Sequence, residues 1–172
     1  MPSKAFNRLA AGFVGFALGA PAAWANPAAE AAFATGVDLC LRFGQSAWFA
    51  TDRFEKVGWR SHYDADYGRA VMISPDGAVI ALLPTSDRYP LRCSIVSGQV
   101  PYTVAQRSVA TALEGLGGAP WKAVEVDGCP AYEGGTADVL VHIRNDGNDD
   151  LCNAPDSARV EVIARRNPLA GP

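Results

Sequence analysis

A histidine among carboxylates is the pattern in this chain whose residue types could most directly do chemistry. His62, Asp64 and Asp66 recur at every second position of WRSHYDADYG. A neighbouring carboxylate raises the basicity of an imidazole and orients its ring, so the set could act as a general base or share a metal ion. In an extended segment the three side chains share one side, which is also the pattern of a polar edge strand facing water. Trp59, Tyr63, Tyr67 and Tyr89 offer a second possibility. Their rings could line a surface groove for a ligand or partner, or close the core of a small sheet. Asp146, Asn148 and Asp150 supply oxygens at i, i+2 and i+4, as in the first half of a calcium-binding loop. Leu151 stands where such a loop wants Gly and Ser157 where it wants Glu, so a plain Asn/Asp/Gly turn is the expectation there. His142, inside VLVHIR, is expected to be packed within a strand.

Other catalytic signatures are missing. The chain contains no G-x-S-x-G elbow, no H-E-x-x-H, and no glycine-rich phosphate loop of either the dinucleotide or the nucleotide type. Two histidines cannot build a multi-histidine metal site, and no cofactor is expected. The four cysteines, Cys40, Cys93, Cys129 and Cys152, are widely spaced without a C-x-x-C, which argues for two disulfides. Three pairings are possible. The expected one is Cys40–Cys93 with Cys129–Cys152, tying an N-terminal helix to a central strand and two late loops to each other.

The disulfide reading agrees with the N-terminus. Lys4 and Arg8 precede the short apolar run Leu9 to Gly19, and Ala23-Trp24-Ala25 has the small-x-small form of a cleavage site. Residues 1–25 therefore read as a signal peptide and 26–172 as a single domain. The net charge of the 172 residues is -3, and removing Lys4 and Arg8 makes the remainder more acidic. That balance opposes nucleic acid and anionic membrane surfaces as partners. No apolar run after the leader is long enough for a transmembrane helix.

The elements that must position these residues follow from periodicity. Asn26 as cap and Pro27 at the first position begin a helix whose Phe33, Val37, Cys40 and Leu41 share a face, ending at Gly44. A shorter helix is expected over 46–57, stopped by Gly58. A third spans 103–116, with Thr103 and Gln106 as a capping box. Three central strands fall at 71–73, 79–83 and 91–96, the first two joined by the turn Ser74-Pro75-Asp76-Gly77. Three more are expected at 121–126, 139–144 and 159–165, and the start of 59–68 could add an edge strand. No internal repeat is visible.

Blocks of strands separated from helices imply an α+β fold: a mostly antiparallel sheet of five to six strands, two to three helices on one face, and two disulfides. The functional expectation is an exported, non-catalytic domain, periplasmic or extracellular, that binds a protein partner or a small ligand. The competing expectation is a small hydrolase using His62 with Asp64 or Asp66.

Overall fold

The computed structural model describes residues 26–66, 68–85, 89–117, 120–135, 138–145, 152 and 156–166. Helix α1 (Pro27–Phe43) begins as its sequence requires, with the Asn26 side chain accepting from the Ala29 amide. Phe33, Val37 and Cys40 are fully buried along one stripe. Gly44 ends the helix in a right-handed conformation, so its glycine is there for space. A Cβ at this position would collide with the Cys40 carbonyl oxygen and stand 2.7 Å from the Cys93 Cβ. Helix α2 (Ala47–Lys56) is capped by Ser46 and buries Ala50 and Phe54, with Phe54 meeting the Trp59 ring edge-on at 4.8 Å.

Helix α3 (Tyr102–Leu116) differs from expectation at its start. Pro101, not Thr103, occupies the cap, and no side chain caps the helix. The extended backbone at Pro101 aims its carbonyl at the amides of Val104 and Ala105. Thr103 is thereby drawn inside the first turn, where it cannot form the expected box with Gln106.

The strands are β1 (Arg60–Asp64), β2 (Arg69–Ile73), β3 (Ile80–Leu82), β4 (Leu91–Ser97), β5 (Lys122–Val126), β6 (Cys129–Gly134), β7 (Val139–Arg144) and β8 (Ala158–Ala164). The α+β class holds, but the antiparallel sheet has eight strands, not five to six. Edge strand β1 is formed along its whole length, and β6 has no counterpart in the expected set. Asp127 and Gly128, both at positive φ (52° and 77°), make the two-residue turn that pairs Val126 with Cys129.

The order across the sheet is β1-β2-β3-β4-β8-β7-β6-β5. Each half is thus a helical element followed by a four-stranded meander, although the sequence shows no repeat. The halves join where β4 and β8 pair from Leu91↔Ala164 to Ser97↔Ala158, with Ser94↔Glu161 at the midpoint. All three helices cover the same face. Cys93, Ile95, Val141, Ile143, Val160, Val162 and Met72 point towards them and share one core with Phe33, Val37, Phe54 and Val109. Fully burying each large apolar side chain of that set contributes about 1.5–3 kcal/mol.

Both disulfides have the expected pairing. Cys40–Cys93 fastens α1 to β4 inside the core. Cys129 faces the other way, and its bond to Cys152 ties the connection between β7 and β8 back to β6.

Candidate functional site

Alternation along each strand sends the intervening side chains to the face that the helices leave uncovered. Register then aligns them into rows. One row runs His62, Val71, Leu82, Ser94, Glu161, His142, Ala131, Val124 across all eight strands. Its centre is polar and buried: Ser94 is 2 %, Glu161 5 % and His142 5 % exposed. The flanking rows bring arginines to the same place. Arg159 and Arg144 are direct cross-strand partners on one side, and Arg92 lies opposite Ile163 on the other.

A cavity of about 410 Å³ lies here, with Arg69, Arg92, Arg144 and Arg159 around Ser94 and Glu161, buried Pro84 in its wall, and exposed Thr85 and Pro90 at the rim. The Glu161 carboxylate has taken two of the arginines. Arg92 Nη1 lies 3.3 Å from Oε1, and Arg159 Nε lies 3.9 Å from the same oxygen. A carboxylate this buried must be paired to stay charged. Arg159 Nε is itself buried and makes no hydrogen bond among the described residues. Arg144, its cross-strand neighbour, has no carboxylate partner among them.

The row also contains a serine, an acid and a histidine, but in an order that does not make a nucleophile. Glu161 stands between Ser94 and His142, so imidazole and hydroxyl are two strands apart, about 9–10 Å at the usual strand spacing. A general base must lie within hydrogen-bond reach of the proton it removes. Burial lowers the His142 pKa below its ordinary value, and the Arg144 charge lowers it further. Glu161, the Val126 backbone and Asp127 act in the opposite sense. The balance favours the neutral imidazole, and Nε2 is buried and without a hydrogen bond among the described residues.

The structure distributes the residues singled out from the sequence. His62 and Asp64 lie on edge strand β1, with His62 exposed, and Asp64 accepts the Asp66 amide in the following turn. Trp59 is 4 % exposed and belongs to the core, Tyr63 is 66 % exposed, and Tyr89 packs partly buried against the core. Ring contacts among the described residues join Phe54 to Trp59 and Trp48 to Phe49. Tyr67, Asp146, Asn148 and Asp150 lie outside the described residues. No three His, Cys, Asp or Glu side chains come together as a metal site among the described residues.

The arginine cavity is not among the sites expected from the sequence. Its signal was the period-two placement of Arg92 with Ser94, His142 with Arg144, and Arg159 with Glu161 in otherwise apolar strands. No family model, curated protein or solved structure matches this chain.

Proposed function

We propose that this chain is a non-catalytic domain, exported to the bacterial periplasm, that binds a small ligand on the uncovered face of its sheet. The observation that carries the reading is the arginine-lined cavity at the junction of the two halves. Its volume falls within the range of small-molecule sites, and it combines concavity with a few convergent polar groups. The two disulfides are compatible with an oxidising compartment. No helix among the described residues is long and apolar enough to cross a membrane.

A structural role for the arginines accounts for only part of the arrangement. Arg92 and Arg159 both lie within ion-pair distance of Glu161, but Arg159 Nε makes no hydrogen bond among the described residues and Arg144 lies outside the set. The hydrolase reading has less support. His62 is exposed on an edge strand, and the Asp64 carboxylate is engaged in closing its own turn.

Native mass spectrometry of the protein recovered from the periplasm of a bacterial host tests the proposal. The expected result is a bound small molecule, lost when the exposed rim residue is enlarged in Thr85→Trp and when the floor is filled in Ser94→Phe. A protein that carries nothing, or a bound mass retained in both folded variants, would overturn it.

A further inference from the structure

Resting on that binding reading, we infer that the ligand is a small oxyanion with at least two negatively charged oxygens, a dicarboxylate or a phosphomonoester, gripped between Arg144 and Arg159. Arg144 and Arg159 are direct cross-strand partners on the same face of β7 and β8. Side chains so placed have Cβ atoms about 5 Å apart, and like charges there destabilise a sheet. The only carboxylate lining the cavity among the described residues, Glu161, is one row away, where it accepts from Arg92 and comes no closer than 3.9 Å to Arg159.

Among the described residues, Arg92, Arg144 and Arg159 thus carry more positive charge than Glu161 offsets, in a chain whose net charge is -3. Cations gathered against the overall sign of the molecule mark a place where negative charge is received. The geometry narrows the class. Each guanidinium presents a planar fork of N–H donors that matches two oxygens of a carboxylate or phosphate. Arg159 Nε, buried and without a hydrogen bond among the described residues, supplies a donor already removed from water. The Ser94 hydroxyl and Glu161 add a donor and an acceptor beside the cationic pair, suited to a ligand that also carries a hydroxyl.

Thermal melts and titration calorimetry with inorganic phosphate and with succinate, against sodium chloride at matched ionic strength, test the inference. Phosphate or succinate should raise the melting temperature saturably while chloride does not, and the tighter of the two identifies the class. Arg144→Gln and Arg159→Gln should each raise the apparent Kd at least tenfold. Without ligand, Arg144→Gln should melt at or above the parent protein because a repulsion has been removed. Arg144→Lys keeps the charge and loses the fork, and should fall between.

No saturable response to either anion, or an unchanged Kd in Arg144→Gln, would overturn the inference. Should Arg159→Gln fail to fold, the two Arg144 variants decide. If neither anion binds while a co-purified neutral molecule is displaced by Thr85→Trp, the cavity is still the binding site and only the oxyanion assignment falls.

Discussion

Ser74 shows how much one side chain organises at a single turn. It is fully buried, and its hydroxyl accepts the Val79 amide at 3.0 Å while donating to the Asp76 carboxylate. That donated bond is the main cause holding the Asp76 pKa below its ordinary value. Ser74→Ala leaves a buried amide without its acceptor and should cost about 1–3 kcal/mol. Denaturant titration measures the loss, and the Asp76 carboxyl, followed by NMR, should move up towards 3.8. His142 makes the corresponding prediction in pH. Its folded pKa lies below the ordinary 6.5, so the unfolded chain takes up a proton first on acidification. Its contribution is fully present above 6.5 and is lost as the pH falls through the folded value. Urea midpoints should therefore fall less steeply below pH 6.5 in His142→Gln, by a slope of at most about 1.4 kcal/mol per pH unit. An unchanged slope would mean that His142 does not govern this part of the profile.

Elements were legible in proportion to how local their signals are. The caps of α1 and α2 are single residues acting on amides within one turn, and Asn26 and Ser46 do what their types suggest. The start of α3 departs from its capping pattern because Thr103 competes with a proline two residues earlier, and the backbone at Pro101 decides the outcome. Strand β6 was hidden by Pro130 and Gly134, which disrupt the usual strand composition, although Asp127-Gly128 is a strong hairpin signal in its own right. Between elements, the Cys40–Cys93 bond joins α1 to β4 across 53 residues of sequence. Closing a loop of that length in the unfolded chain implies about 4 kcal/mol of stabilisation. The double variant Cys40→Ala/Cys93→Ala should lose stability of that order in equilibrium unfolding under oxidising conditions. A loss below about 1 kcal/mol would show that packing of α1 alone holds the helix in place.

At the scale of the molecule, the class and both disulfide pairings could be read in advance, while the candidate site could not. Arg92 lies on β4, far in sequence from Arg144, Arg159 and Glu161 on β7 and β8, and nothing local states that β8 lies between β4 and β7. His62 and Asp64 lie on edge strand β1 and share a sheet face with the arginines only through the register, while Asp66 falls in the turn that follows. Local density of interesting residues was a poor guide because the cavity is built by non-local pairing.

The same seam sets a timetable for the molecule's making. The strand that completes its middle is the last of the eight to leave the ribosome. Until residues 158–164 arrive, each meander has an unpaired inner edge, one at β4 and the other at β7. Exposed edges of this kind recruit other chains. A nascent chain stopped short of β8 would therefore be a pair of sticky half-sheets and a natural client for holding chaperones, and the arginine cavity would come into being only at the final step of folding.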